Sequence, residues 1–188
     1  MITIVSGLPR SGTSLIMQML EKGGMEILTD NVRKADESNP RGYYEYEKMK
    51  SLQRDSSWLV EADGKAIKVI AQLLKYLPQQ FEYKVIFIER NIKEVLISQQ
   101  KMLEKLGQKH PSNNDILSKV FQKQIADTQK WLERQNNISS LFLSYTDALF
   151  EQRATVENIT SFLGLDLEMY AMINVIDQSL YRERVQIK

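Results

Sequence analysis

Hydrophobic and polar positions along the chain fall into alternating strand-like and helix-like blocks. Ile2 to Ser6 (ITIVS) is an unbroken β-branched run ended by Gly7, the pattern of a strand buried in a parallel sheet. Behind it Leu15, Ile16, Met19 and Leu20 recur at helical spacing from a start at Thr13 or Ser14, and Gly23-Gly24 stop that helix. Met25 to Leu28 predicts a second short strand. From Thr29 to Tyr44 the pattern lapses into a long polar loop, punctuated by Asn39-Pro40 and Gly42, and loops of that length are usually functional or disordered. A helix is predicted from Glu45 to about Asp55, a strand over Ala66–Ile70 and a short helix ending before Pro78. Lys84 to Glu89 (KVIFIE) is the second strong strand. Asn91 then opens a helix with Ile92, Val95, Leu96, Leu103 and Leu106 on one stripe, broken at Gly107 and the following HPSNN. A long amphipathic helix over Asp115–Arg134, a strand over Ser140–Ser144 and a helix over Arg153–Leu163, capped by Gly164, complete the pattern. The tail from Asp166 is only weakly patterned.

Strands alternating with helices predict an α/β fold, a three-layer sandwich around a central, mostly parallel sheet. At 188 residues, with 43% hydrophobic and 26% charged positions, the expectation is a single globular domain over residues 1–188. A formal net charge of +1 gives no broad nucleic-acid surface, so any anion binding has to be local. The absence of cysteine excludes disulfides and thiolate metal sites. No apolar run approaches the roughly 20 residues needed to span a membrane, and the N-terminus enters the first strand without a leader pattern. These features predict a soluble cytoplasmic protein with no nucleic-acid or membrane partner; the oligomeric state is not legible.

The candidate chemistry begins at GLPRSGTS, residues 7 to 14. Gly7 and Gly12 have the spacing of the ATP/GTP phosphate loop, G-x-x-x-x-G-K-[ST], and Ser14 stands at its final hydroxyl, but Thr13 replaces the lysine. A strand running through such a loop into a helix N-terminus aims backbone N–H groups and the positive end of the helix dipole at an anion. Arg10 adds a fixed charge and a planar fork suited to phosphate or sulfate. An ATP or GTP site also needs the lysine and an acidic Mg²⁺ partner; VIFIE ends in Glu89-Arg90 and SLFLS in Tyr145, which counts against a kinase.

Arg90 directly follows a strong strand, at the sheet edge where open α/β folds bind ligands. Ser98 lies eight residues on, about two turns into the next helix and near the side of its start. A guanidinium and a hydroxyl so placed can converge on a second phosphate.

Together the two segments resemble the sulfotransferases that use 3′-phosphoadenosine 5′-phosphosulfate (PAPS). Pro9-Arg10-Ser11-Gly12-Thr13-Ser14 matches their P-[KR]-S-G-[TS]-[TS] signature. Arg90 to Ser98 (RNIKEVLIS) matches R-N-P-x-[DE]-x(3)-S, with Ile92 for proline. SYTDALF at 144–150 and ENITSFLGL at 157–165 are weaker echoes, and SNPRGYYE at 38–45 resembles a stretch of bacterial and carbohydrate-type members. The resemblance implies a P-loop nucleotide-binding type of fold and transfer of a sulfuryl group from PAPS to a hydroxyl or amine of a small-molecule or carbohydrate acceptor, with no metal required. It implies that Arg10, Ser11, Gly12, Thr13 and Ser14 cradle the 5′-phosphosulfate and that Arg90 and Ser98 hold the 3′-phosphate.

Cytosolic members place a catalytic histidine just after a lysine, roughly twenty residues before the 3′-phosphate arginine. Lys68, 22 residues before Arg90, is the counterpart of that lysine, but Val69 and Ile70 stand where the histidine would fall. His110 reads as a loop residue. Carbohydrate-modifying members use a glutamate after the first helix as base, which makes Glu37 and Glu45 equal candidates beside Arg10 and Lys68. The family's C-terminal G-x-x-G-x-W-K loop is missing; Arg182 and Arg184 are the candidates to replace it. Tyr43, Tyr44, Trp58 and Trp131 are candidates for an acceptor or adenine pocket. Two rival readings stay open: a nucleotide-binding module without chemistry, and an atypical ATP/GTP-dependent kinase.

Overall fold

A computed structural model describes residues 1–30, 32–108 and 114–184. Four strands, β1 (Ile2–Gly7), β2 (Ala66–Ile70), β3 (Tyr83–Glu89) and β4 (Ile138–Ser144), pair in the order β2-β1-β3-β4, every neighbour parallel. The register sets Gly7 opposite Ile70 and Ile88, and Glu89 opposite Ser144. The segments leaving all four strands therefore emerge along one edge, the edge at which parallel α/β sheets form their binding crevice. All six residues of β1 are buried, the polar Thr3 and Ser6 among them, as befits a strand covered on both faces.

Period-two alternation sends the strands' side chains into two apolar layers. Val5, Ile86 and Ile88 pack with Ile16 and Leu20 of α1 (Thr13–Lys22), Val156 and Ile159 of α5 (Gln152–Leu163) and Met172 of α6 (Met169–Asn174). On the other face Ile2, Ile4, Ile67, Val85 and Phe87 meet the 3₁₀ segments Glu47–Ser51, Ser57–Ala62 and Ala71–Tyr76, together with Leu132 at the end of α3 (Asn114–Leu132). Between β3 and α3 runs α2 (Ile92–Lys105), capped by the Asn91 side chain, which accepts from the Lys93 N–H at 3.0 Å. The short α4 (Tyr145–Phe150) follows β4 directly, its N-terminus capped by Ser144.

Three expectations change. The helix from Glu45 to about Asp55 is a 3₁₀ segment over Glu47–Ser51. Tyr44 just upstream is left-handed at φ 55, Tyr46 is extended without a side-chain cap, and Met49 and Leu52 bury at the three-residue spacing of a 3₁₀ turn. The strand over Met25–Leu28 reduces to one bridge, Ile27 to Ala66, with the Leu28 N–H donating to the Ala66 carbonyl and the Ala66 N–H to that of Glu26. The tail contains α6 and a 3₁₀ turn over Gln178–Leu180. Six- and three-residue elements are too short to display a period, although Met172 of α6 is fully buried. No described helix is long and apolar enough to cross a membrane. His110 lies outside the described residues.

Candidate active site

The loop between β1 and α1 is drawn tight by its glycines. A side chain on Gly7 would place its Cβ 2.4 Å from Ser11 Oγ and 2.6 Å from the Ile88 carbonyl oxygen. Gly12, at φ 108, would collide with the Tyr145 ring at 2.4 Å. Only hydrogen fits at either position, and Gly12 also needs the left-handed freedom that glycine supplies. Arg10 adopts φ 75 although it is not glycine, a strain that persists where surrounding contacts overdetermine it. Helix α1 starts with no side-chain cap and no acid in its first turn, so its positive end is uncompensated from within. Ser11 Oγ is buried beneath the loop with no hydrogen-bond partner.

Four cations converge on this loop. Arg10 donates from Nε to Ser98 Oγ at 3.0 Å and from Nη2 to the Ser38 carbonyl at 2.8 Å. Lys68, on β2, donates from Nζ to the Tyr43 carbonyl at 2.8 Å and to Ser14 Oγ at 3.3 Å. Arg90, leaving β3, donates to Glu94 Oε2 at 2.9 Å, to the Arg10 carbonyl at 3.4 Å and to the Glu183 carbonyl at 3.1 Å. Its guanidinium carbon lies 4.5 Å from the Tyr145 ring centroid and 5.3 Å from that of Tyr181. Arg33 stands 3.4 Å over the Tyr43 ring and donates to Glu45 Oε1 at 2.8 Å.

The crowding registers in their acidities. Burial pushes the Lys68 ammonium down from its ordinary 10.5 to about 8; Glu45 opposes the drop, while Arg33 and Arg10 reinforce it. Burial also lowers the Arg10 guanidinium, opposed by Tyr43 and reinforced by Arg90 and Arg33.

All four cations line one cleft of about 420 Å³. Arg10, Gly12, Thr13, Ser14, Lys68, Arg90 and Ser98 share it, and Ser11 lies beneath its floor. The two candidate bases part company. Glu45 lines the cleft, held by Arg33. Glu37 lies outside it with 88% of its side chain exposed, bonded to Lys105 Nζ at 3.0 Å, and that contact lowers its pKa. Of the aromatic candidates, Tyr43 lines the cleft, its hydroxyl donating to Asp36 at 2.8 Å. Tyr44 donates to Glu21, Trp58 is core, and Trp131 packs against the core. Arg182 lines the cleft, whereas Arg184 lies over Tyr181.

The motifs contained Glu94 and Tyr145 without assigning them a role, and did not point to Arg33 or Tyr181. Tyr145 carries the same signal as Arg90, since it is the residue directly after a parallel strand. Glu94 was legible as an acid four residues along a helix from Arg90. Arg33 and Tyr181 sit in aperiodic segments and are identified only by their contacts.

A family model described as "Sulfotransferase domain" matches residues 2–184. Among solved structures, mouse sulfotransferase SULT7A1 complexed with PAP is similar at a TM-score of 0.57 and 19% identity, over 98% of this chain and 66% of that one. Retinol dehydratase in complex with androsterone and inactive cofactor PAP is similar at 0.52 and 18%, over 95% of this chain and 63% of that one. The chain thus spans just under two thirds of the length of each. No curated protein matches it significantly. The α/β architecture of a parallel sheet between helical layers is common to this chain and these structures. With the match running from the first strand to residue 184, the chain belongs to the sulfotransferase domain family.

Proposed function

We propose that this chain is a PAPS-dependent sulfotransferase domain acting on a hydroxyl, or less favourably an amine, of a small-molecule or carbohydrate acceptor. One observation carries the reading. Four cations, two of them with pKa values pushed down by burial, surround an uncapped helix N-terminus and an orphaned buried hydroxyl. Such an arrangement is costly alone and is compensated by a multiply charged anion. The residues fit the donor. Arg10, Ser11, Gly12, Thr13 and Ser14 would hold its phosphosulfate and Arg90 with Ser98 its 3′-phosphate, the group that distinguishes it from ATP.

When bound, the donor supplies an electrophilic sulfuryl group on an AMP-type phosphate. Arg10 and Lys68 then stand ready to hold the charge that accumulates on the phosphate oxygen as the S–O bond breaks, a role a metal or the missing loop lysine fills elsewhere. Glu45 takes the acceptor's hydroxyl proton as the new S–O bond forms, and Arg33 fixes its orientation through Oε1. A second reading, nucleotide binding without chemistry, is favoured by that same ion pair, because it already occupies one of the two carboxylate oxygens with which Glu45 could accept a proton.

Titration of adenosine 3′,5′-bisphosphate against ATP and GTP, with and without Mg²⁺, tests the family reading. A metal-independent preference for the bisphosphate is expected; Mg²⁺-dependent ATP binding alone would overturn it in favour of a kinase. Arg90→Ala should weaken the bisphosphate by about 10- to 150-fold, the worth of a hydrogen bond to a charged group, and leave AMP within about threefold by the same reasoning; equal losses would refute the 3′-phosphate assignment. Glu45→Gln should slow transfer by about 10²- to 10⁴-fold with Glu37→Gln near wild type. Undiminished transfer by the double variant removes both as bases, and bisphosphate binding with no transfer to any hydroxyl or amine acceptor selects the second reading.

A further inference from the structure

After α6 the chain crosses the mouth of the cleft as a strap. The 3₁₀ turn over Gln178–Leu180 is followed by residues 181–184, anchored at several points. Tyr181 packs edge-on to Tyr145 at 5.6 Å, and its hydroxyl donates to Glu94 Oε1 at 2.6 Å. Arg182 donates to the Glu37 carbonyl at 2.8 Å. The Glu183 carboxylate meets Lys101 Nζ at 2.9 Å, and the Glu183 carbonyl accepts from Arg90 Nη2.

These contacts use up Arg90. Its side chain is only 8% exposed, and Nε, Nη1 and Nη2 each have an acceptor. The Glu94 contact lies within one helical turn and is compatible with a bound anion, because it engages Nε and leaves the Nη pair to others. The Glu183 carbonyl is different, since it takes a nitrogen that a phosphate would need for a two-pronged contact. We propose that the strap of residues 181–184 is an intrasteric competitor, occupying the 3′-phosphate position over Arg90 and lifting when a 3′-phosphorylated nucleotide binds. The inference rests on the assignment of Arg90 and Ser98 to the 3′-phosphate.

The anchors differ in strength along the strap. Tyr181 is wedged between Tyr145 and Phe150, with ring centroids 5.6 and 6.3 Å away, and acts as the hinge. The outer end is tied by Lys101, 59% exposed, and by Arg182 to a loop carbonyl. The strap peels from Glu183 inward. Apparent affinity for a 3′-phosphorylated ligand is then the intrinsic affinity scaled by the fraction of molecules with the strap lifted.

The test compares binding of adenosine 3′,5′-bisphosphate and AMP, by calorimetry, to the full chain, to a chain ending at Leu180, and to Lys101→Met. Truncation should tighten the bisphosphate by about tenfold or more, as for a site closed about 90% of the time. Lys101→Met should tighten it by up to about fivefold, the range of an exposed ion pair. That change is opposite to what removing a cation from an anion site would do by charge alone. AMP should be unaffected by either change. Hydrogen exchange at residues 181–184 should speed up when the bisphosphate is added. If the bisphosphate binds the full chain better than AMP but both variants bind it equally or more weakly, or exchange at 181–184 slows, the strap is a cover and the proposal is overturned while the 3′-phosphate assignment stands. If no form prefers the bisphosphate to AMP, that assignment falls and the strap proposal with it. Lys101→Met retains the whole tail, so it decides the matter should the shortened chain fail to fold.

Discussion

Replacing Lys68 by methionine should make the chain more stable and worse at holding an anion. The ammonium sits on β2 with its pKa pushed from 10.5 to about 8, chiefly by burial, and that displacement corresponds to about 3 kcal/mol at 1.36 kcal/mol per pH decade. Methionine has a similar unbranched reach and no charge to desolvate. Against the relief stands the bond from the charged Nζ to the Tyr43 carbonyl at 2.8 Å, worth about 1.5–3 kcal/mol; the bond to Ser14 Oγ is longer, at 3.3 Å, and Ser14 Oγ keeps its second donor, Asn39 Nδ2 at 3.0 Å. The net expectation at pH 7 is up to about 1 kcal/mol of added stability, or up to about 4 °C in Tm for a chain of this size. The pH dependence follows from the direction of the shift. Lys68 binds its proton less tightly folded than unfolded, so wild-type stability is flat below about pH 8 and rises as the pH passes from there to 10.5. The variant's advantage should therefore shrink across that window and be gone by pH 10.5. Urea denaturation of both proteins at pH 7, 9 and 10.5 measures this directly, and bisphosphate titration at pH 7 should show a loss of about 10- to 150-fold for one charged contact. A Lys68→Met protein that is less stable at pH 7, or whose difference from wild type does not change with pH, would refute the reasoning.

Further substitutions test the packing under the cleft. Gly12→Ala combines φ 108 with a contact of 2.4 Å to Tyr145, so denaturation should show a loss of about 3 kcal/mol. Gly24→Ala, at φ 98 with nothing within 4 Å, should lose only about 1–2 kcal/mol; equal losses would mean that the Tyr145 contact is immaterial. Glu94→Ala leaves Arg90 buried against two tyrosines without its carboxylate, and should cost about 3–5 kcal/mol. The Arg90→Met, Glu94→Met pair should recover most of it; a double variant as unstable as Glu94→Ala alone would argue that packing, not the unpaired charge, sets the cost.

The long-period features of the fold were readable from the sequence, and the short ones were not. β1, β3 and α3 announce themselves because burial on two faces or one helical stripe imposes a repeat over many residues. The Glu47–Ser51 turn buries only Met49 and the adjoining Leu52, and α6 only Met172, too few side chains to display a period. The same division runs through the cleft. Arg10 and Arg90 are fixed by local geometry, a loop between strand and helix and the end of a strand, so their neighbourhood in space follows from parallel topology. The separation of Glu45 from Glu37 was invisible. Eight residues apart in one polar loop, they differ only in that Arg33 holds one inward and Lys105 draws the other out to solvent. Long-range partners of that kind leave no trace in local composition.

β2 is the outermost strand of the sheet, and beyond the single bridge at Ala66 its sequence, AIKVI, is short, apolar and β-branched. Strands of that kind recruit their likes from other chains, and a charge turned inward from an edge strand is one way proteins prevent it. Lys68 is such a charge. A variant that gains stability by losing it also loses this guard, so the more stable Lys68→Met protein is the one expected to self-associate at high concentration, as light scattering of the folded protein can measure.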